Sequence, residues 1–258
     1  MGMRRLWAAV RKFVVDTWFV FVSQALAFRH MWFWSVVMVT FIPLCTMGFL
    51  LLFGKPSPER ITYILTGSVT HAVSIQAGLS LGQRIGALKT RRVFDYYASL
   101  PISKLSFIYG LNLNALLLCV PSSLLLVVIS VLGFHHPVRD PLLFLVAFVL
   151  GGFSLAGVGA MIGFYSRSGQ IASNVTQIVN PILVFFAPVY MPEDALPLVL
   201  RYTSWFMPTR HVARLLRSSF GGATGGEWQS IAILVGFIII SVLLVHRGLD
   251  WRGDRPLD

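Results

Sequence analysis

Six histidines are the side chains in this 258-residue chain best suited to acid–base or metal chemistry. His135 and His136 form the one adjacent pair, and their place in a short loop between two apolar runs favours a solvated pair over a metal site. His71 lies in an apolar run with Gln76 nearby, which favours a hydrogen-bonded structural role over a ligand or a proton relay. The sequence therefore predicts no catalytic residue and no metal site.

Nucleotide hydrolysis by this chain is not predicted either. A phosphate-binding loop follows the pattern G-x-x-x-x-G-K-[ST], whose backbone N–H groups hold the phosphates. The nearest segment, from Gly48 to Lys55, has one residue too many before its second glycine, and Pro56 replaces the hydroxyl residue. The patterns G-x-S-x-G and H-E-x-x-H are also missing, so this chain is expected to bind no cofactor.

The composition indicates a membrane protein. Hydrophobic residues make up 56% of the chain and charged residues 12%, whereas soluble domains carry about 25% charged residues. We expect one all-α polytopic domain over residues 1–258, with six transmembrane helices. Their predicted ranges are 31–53, 61–81, 105–132, 142–164, 171–189 and 231–245. Every Asp and Glu lies outside these six ranges, and Asp16 alone would enter a span if residues 13–28 crossed the membrane. An ion-binding carboxylate within the membrane is therefore disfavoured.

Small residues mark one predicted span as a packing surface. Gly159 and Gly163 form a G-x-x-x-G pair, and Gly152, Ala156 and Ala160 extend the stripe. Such stripes let two helices approach closely in lipid, so we expect a neighbouring helix against this face.

Residues 4–29 have the pattern of an amphipathic helix lying in the membrane interface. Apolar and aromatic residues recur there at helical spacing, with charged residues on the opposite side. An alternative is that 13–28 spans the membrane. Asp16 would then lie within the span, at a cost of roughly 2.5–3.5 kcal/mol on insertion scales.

The stretch from Gln83 to Lys104 is basic, patterned and too polar to cross a bilayer. It carries five basic residues and one acid, Asp95. Thr90 is predicted to cap a short helix over 90–100, which Pro101 ends. One face of this helix is apolar and aromatic, with Val93, Tyr96, Tyr97 and Leu100. Such a helix either lies on lipid or docks on a partner protein.

Basic residues set the expected orientation. With both termini on one side, that side holds 14 of the 21 Lys and Arg residues. The positive-inside rule then places both termini and the basic stretch in the cytoplasm. The same rule accounts for the net charge of +11, so nucleic acid is not an expected partner.

The order and spacing of these features resemble the membrane subunit of ABC-2-type transporters. In that family the second span ends in a basic, glycine-containing turn, followed by a coupling helix and a proline-containing start of the third span. The matching segments here are 84–88, 90–100 and 101–103. An acid usually stands beside the arginine of the basic turn, and this chain has Gln83 there.

A second part of the resemblance lies between the fifth and sixth spans. The family has a P-x-x-x-L-P turn, a short re-entrant helical pair, a second proline and a basic helix. In this chain, residues 190–227 form the corresponding extracytoplasmic re-entrant segment, with the turn at Pro192 to Pro197 and the second proline at Pro208. Glycine is common just before the turn, where Pro188 stands here.

The resemblance implies the permease subunit of an ATP-driven exporter in a bacterial inner membrane. Such a subunit pairs with a second copy or a paralogue in the lipid bilayer, and a separate ATPase subunit binds ATP and Mg. The cargo implied is hydrophobic or amphipathic, such as a drug, a lipid or a glycoconjugate. The residues implied to act in ATPase coupling are Arg84, Gly86, Arg91, Arg92, Val93, Phe94, Tyr96, Tyr97 and Pro101.

Two polar clusters have two interpretations each. Asn174, Gln177 and Asn180 either line a transport path or form hydrogen bonds between helices. Arg210, Arg214 and Arg217 share one helix face. They either bind an acidic group on the cargo or extend to lipid headgroups.

Two other functions remain open from the sequence. An integral membrane enzyme that modifies lipids would use histidines such as His71 or His211 as acid–base groups. An ion-coupled secondary transporter would move its cargo without ATP.

Overall fold

A computed structural model describes residues 2–28, 32–52, 57–91, 93–222 and 225–248. This described part is helical and contains no strand, which confirms the predicted all-α class. The α-helices are α1 Gly2–Phe28, α2 Trp32–Leu52, α3 Pro58–Val73, α4 Leu81–Thr90, α5 Val93–Ser99, α6 Lys104–Val128, α7 Pro141–Tyr165, α8 Gly169–Phe185, α9 Leu198–Thr203, α10 Pro208–Ser219 and α11 Glu227–Gly248. Short π-helical turns are Ser74–Ser80 and Ile129–Gly133, and 3-10 turns are Glu193–Ala195 and Ser204–Phe206.

Three stretches of the described residues are long and apolar enough to cross a membrane. They are Leu105–Gly133, Pro141–Tyr165 and Glu227–Val245, and they correspond to the third, fourth and sixth predicted spans. Val39–Leu52, within α2, is a shorter apolar helix. The full count of six spans remains a prediction.

The second predicted span lies within a longer continuous helix over residues 58–90, which we call the rod. Ser57 caps its start by accepting a hydrogen bond from Arg60 N (3.2 Å), and Pro58 occupies the first turn. α3 then passes through the π turn Ser74–Ser80 into α4 without leaving helical backbone angles. The rod continues to Thr90, nine residues beyond the predicted end at residue 81, and no proline interrupts it there.

The rod packs closely against the glycine stripe of α7. A Cβ on Gly159 would overlap the carbonyl oxygen of Gly78, and a Cβ on Gly82 would lie 2.8 Å from the carbonyl oxygen of Gly159. Gly163 meets Ile85 and the Gly82 carbonyl in the same way. The stripe therefore brings two backbones together, as its spacing predicts.

α1 lies along the first part of α6. The rings of Phe13 and Tyr109 meet edge to face at 5.6 Å, and Gly110 leaves room for Val20. Trp7 and Trp18 remain exposed on the other side of α1. Exposed tryptophans against a packed face fit an amphipathic helix, but both interpretations of residues 13–28 remain open.

The end of the fifth predicted span differs from the expectation. α8 includes Pro181 but ends at Phe185, four residues before the predicted limit of 189. The chain then folds back through α9 into α10, which is largely buried against α7, α11 and α3. Within the segment 190–227, α10 therefore contributes to the core.

Candidate functional site

α5 is a seven-residue helix between the end of α4 and the start of α6. Arg91 precedes it and is exposed, Phe94 lies in its first turn, and Pro101 follows it at the surface. Arg92, also predicted to act in coupling, lies outside the described residues. The observed limits, Val93–Ser99, are narrower than the predicted 90–100.

Thr90 does not cap α5, contrary to the sequence prediction. It is the last residue of α4. Its hydroxyl donates to the Gly86 carbonyl one turn earlier (3.1 Å) and accepts a hydrogen bond from Gly169 N (2.8 Å). A threonine hydroxyl readily bonds back into its own helix, and here it also joins the end of α4 to the start of α8.

The two tyrosines of α5 have different surroundings. Tyr96 is 63% exposed, whereas Tyr97 is half-buried with its ring 4.6 Å from that of Phe107. The two rings are themselves 5.5 Å apart, edge to face. Val93 is half-buried. One tyrosine therefore anchors α5 to the bundle, and the other lies on its open surface.

A polar network behind Tyr97 connects four helices. The Arg84 guanidinium of α4 donates to Asn114 Oδ1 of α6 (3.3 Å) and to Gln24 Oε1 of α1. Gln24 Nε2 in turn donates to the Tyr97 hydroxyl of α5 (3.1 Å). Burial lowers the pKa of Arg84 to about 10, so the group keeps its charge at neutral pH. Charged hydrogen bonds of this kind are stronger than neutral ones, and they connect α5 to the helices behind it.

Replacing Gln24 with alanine should loosen α5. The Tyr97 hydroxyl and the Arg84 guanidinium would each lose a partner in a half-buried site, at a cost of about 1–3 kcal/mol. We expect faster hydrogen exchange in the peptide that contains α5 than in the native chain. Ser23→Ala is the matched control, because Ser23 is exposed and bonds only within α1, to the Val20 carbonyl. Equal exchange of α5 in the two variants would contradict a role for the network.

Gly86, another predicted coupling residue, lies inside the bundle. A Cβ there would come within 2.5 Å of Ala172 Cβ and 3.2 Å of Gly169 Cα. The glycine therefore allows α4 to approach the first turn of α8. Its predicted role in ATPase coupling stays a prediction.

The three α8 residues predicted to line a path or to bond between helices, Asn174, Gln177 and Asn180, do not share one environment. Asn180 is buried and accepts a hydrogen bond from Ser74 Oγ (2.7 Å), as the interpretation of bonds between helices requires. Asn174 and Gln177 are exposed. Their hydrogen bonds stay within α8, to Gln170 and Ser173, respectively. These two side chains remain on an open face of the helix.

Arg210 is held inside the fold. It is 1% exposed, and its Nη2 lies 2.6 Å from Glu193 Oε2. Its Nη1 donates to Ser204 Oγ (2.6 Å) and to the Arg201 carbonyl (3.0 Å). The guanidinium also lies over the Trp205 ring, 4.2 Å from its centre. The guanidinium is therefore paired within the chain, whereas both sequence interpretations place its partner outside the chain.

Arg217 is also buried, whereas Arg214 is half-buried. Nη1 of Arg217 donates to the Pro188 carbonyl (2.9 Å), and its guanidinium lies 4.5 Å from the centre of the Tyr63 ring. Arg217 therefore ties α10 to α3 and to the chain that leaves α8. The shared helix face of the three arginines was visible in the sequence, but their intramolecular partners were not.

Three histidines considered in the sequence have internal partners. One is His136, which was predicted to be solvated but is half-buried, with its Nε2 hydrogen-bonded to Thr62 Oγ1 (2.6 Å). His71 Nδ1 is hydrogen-bonded to the Tyr190 hydroxyl (3.0 Å). His211 Nε2 is hydrogen-bonded to the Trp205 carbonyl (3.0 Å). Among the described residues no group of three His, Cys, Asp or Glu side chains could hold a metal ion.

Comparison with known families shows a match over most of the chain. The family model described as ABC-2 family transporter protein matches residues 54–246, which include α3 to α10 and most of α11. No curated protein matches the chain.

Proposed function

The chain belongs to the ABC-2 family of transporter proteins, and from this premise we propose that it is the permease subunit of an ATP-driven exporter. ABC-2 members are the membrane components of ABC transporters. In our proposal a separate ATPase subunit binds ATP and Mg, and this chain forms the path for a hydrophobic or amphipathic cargo. The membrane is the inner membrane of a bacterium.

The division of α5 into an anchored side and an open side is the observation that best supports the proposal. Tyr97 is connected through Gln24 to Arg84 in α4. Tyr96 and Arg91 are exposed on the same short segment. A partner that binds the open side would push on a helix already bonded to α1 and, through Gln24, to α4. This is the arrangement needed to convert the closing of an ATPase into movement of transmembrane helices.

The proposed topology has six spans and both termini in the cytoplasm. α6, α7 and α11 carry three of them, and α2, the rod of α3 and α4, and α8 carry the others. Residues 58–90 extend about 50 Å as a helix, long enough to cross the bilayer and continue beyond it. α8 is shorter, at about 25 Å, and the folded-back segment after it completes the crossing.

The exposed face of α8 is the proposed seam between two permease subunits. It presents apolar side chains, including Ile171, Ile178 and Ile182, beside the polar pair Asn174 and Gln177. A seam of this mixed character suits a cargo with both apolar and polar parts. The second subunit is a copy of this chain or a paralogue.

Tyr96→Ala and Arg91→Glu test the proposed docking. Truncating an aromatic anchor at an interface typically costs about 2 kcal/mol, or roughly a thirtyfold loss of affinity. We expect both variants to weaken co-purification of the permease with the ATPase subunit, and the loss of affinity can be measured with the purified components. Tyr202→Ala is the matched control, since Tyr202 is 70% exposed but lies in α9.

Two results would contradict the proposal. The first is an ATPase complex indifferent to both α5 changes. The second is cargo transport by the permease alone in vesicles without ATP, which would support an ion-coupled transporter instead. Activity on lipid without nucleotide, lost in His71→Ala or His211→Ala, would support the enzyme alternative.

A further inference from the structure

The turn between α7 and α8 is held by the end of α4. α7 ends at Tyr165 and α8 begins at Gly169. The turn therefore contains backbone groups that neither helix can pair internally, namely the last carbonyls of α7 and the first N–H groups of α8. The Ser168 hydroxyl satisfies one of them by accepting a hydrogen bond from Ile171 N (3.3 Å). Others are paired with side chains of α4.

Lys89 and Thr90, the last two residues of α4, supply these partners. Lys89 Nζ donates to the Ser166 carbonyl (3.2 Å) and lies 3.5 Å from the Phe164 carbonyl oxygen. The Thr90 hydroxyl accepts a hydrogen bond from Gly169 N (2.8 Å). One helix end therefore binds both sides of the turn, and we call this set of hydrogen bonds the clasp.

Next to the clasp, α4 and α8 pack through small residues. A Cβ on Gly86 would lie 2.5 Å from Ala172 Cβ, and a Cβ on Gly169 would lie 3.0 Å from the Gly86 carbonyl oxygen. One turn further along α4, a Cβ on Gly82 would lie 2.6 Å from Thr176 Cγ2. Small residues let the two helices approach closely, but so smooth a contact resists sliding poorly. Directional hydrogen bonds at the clasp do resist it.

The clasp lies between the two surfaces that the proposed function uses. α5 begins at Val93, three residues after Thr90, and its open side is the proposed docking surface. α8 starts at the clasp and carries Asn174 and Gln177 on the exposed face that forms the proposed seam. A displacement of the end of α4 therefore reaches α8 through the clasp.

We propose that the clasp makes the first turns of α8 move with the end of α4 when the ATPase acts on α5. Lys89 and Thr90 are its positioning residues. This inference rests on the proposed coupling through α5 and adds the route by which the movement reaches the seam. The docking residues Arg91 and Tyr96 are different residues, so docking and transmission can be measured separately.

Spin-label distances in the complex of the permease with its ATPase subunit, in lipid nanodiscs, test the clasp. One label pair, Gln170→Cys with Leu243→Cys, reports α8 against α11, and a second pair, Ser99→Cys with Leu243→Cys, reports α5. All three positions are exposed. Cys45→Ser removes the exposed native thiol, and Cys119 is buried. With Lys89 and Thr90 in place, we expect ATP with vanadate to shift both mean distances by about 2 Å or more.

Thr90→Val combined with Lys89→Met removes the clasp while nearly keeping the size of the side chains. In this double variant we expect the α5 pair to shift as before and the α8 pair to lose its shift. The affinity for the ATPase should stay within about threefold of the native value. The melting temperature should stay within about 4 °C, because Thr90 is exposed and Lys89 is half-buried, so water replaces the lost partners.

Two further variants make the result specific. Thr90→Ser combined with Lys89→Arg keeps a hydroxyl and a cationic donor at the same positions, so it should restore the α8 shift. Thr46→Val is the matched control, because the Thr46 hydroxyl donates within its own helix, to the Ile42 carbonyl (3.0 Å). Both distance shifts should keep their native size in that variant.

Three results would overturn the proposal and leave the coupling through α5 standing. An α8 shift of native size in the double variant would show that packing alone carries the movement. A much lower melting temperature of the double variant would assign the clasp to stability. A native complex in which the α5 pair shifts and the α8 pair does not would exclude transmission to α8.

Failure of the proposed function has a different signature. A native chain that binds no ATPase, or in which neither label pair shifts with ATP and vanadate, would contradict the coupling through α5 itself. The clasp would then have no movement to transmit, and the inference would fall with it.

Discussion

Replacing Gly159 with alanine is expected to lower the melting temperature of the purified chain by about 6–12 °C, from a destabilisation of roughly 3 kcal/mol. The added methyl group would overlap the Gly78 carbonyl oxygen, which belongs to the backbone of the π turn. Neither backbone can move aside without separating α7 from the rod. The Gly82 contact with the Gly159 carbonyl would be lost with it.

Gly236→Ala is the control for this prediction. Gly236 is also a glycine in a membrane helix, but a Cβ there meets no atom within 4 Å. Alanine has the higher helix propensity, so this variant should melt at or slightly above the native temperature. A thermal shift measurement in detergent compares the melting temperatures of Gly159→Ala and Gly236→Ala. Similar melting temperatures for the two variants would contradict the close packing of α7 on the rod.

The second large effect is expected from Arg210→Met. The change leaves the Glu193 carboxylate, Ser204 and the Arg201 carbonyl without their shared donor. Breaking a buried pair from one side typically costs about 3–5 kcal/mol. Because Glu193 is itself one-third exposed, we expect the lower end, about 3 kcal/mol, or a fall of about 6–12 °C in melting temperature.

A neighbouring ion pair offers the matched control for Arg210. Arg201 lies 3.3 Å from Asp194 in the same segment, but their side chains are 46% and 85% exposed. Solvent screens such a pair, and its contribution is usually below about 1 kcal/mol. Arg201→Met should therefore leave the melting temperature within about 2 °C of the native value. A fall in the melting temperature of Arg201→Met as large as that of Arg210→Met would show that burial does not make the Arg210 pair the more stabilising of the two.

Features that depend on hydrophobicity and backbone spacing were accessible from the sequence. The third, fourth and sixth predicted spans correspond to α6, α7 and α11, because a long apolar run leaves few alternatives to a membrane helix. The spacing of Gly159 and Gly163 predicted a close helix contact. Only the structure, however, identifies the rod as the partner helix.

Features that depend on side-chain partners distant in sequence were not accessible. Gln24 gave no signal, since one polar residue in an apolar helix does not reveal Arg84, sixty positions later. Thr90 had the residue type of a cap, but its hydroxyl bonds to Gly86 instead. The run after Phe185 is apolar enough to continue a span, yet α8 ends there and the chain folds back. Local patterns do not encode where tertiary contacts stop a helix or bury a charge.

The π turn Ser74–Ser80 determines the angular phase between the two ends of the rod. On one side of it, His71 faces Tyr190; on the other, Arg84 faces Gln24. In an α-helix each residue advances the side-chain direction by about 100°. A change of the wide turn to ordinary α-helical hydrogen bonding would shift this phase by one residue. The rod can thus meet both sets of neighbours only while the π turn keeps its extra residue. The turn therefore fixes the rotation of one end of the rod relative to the other.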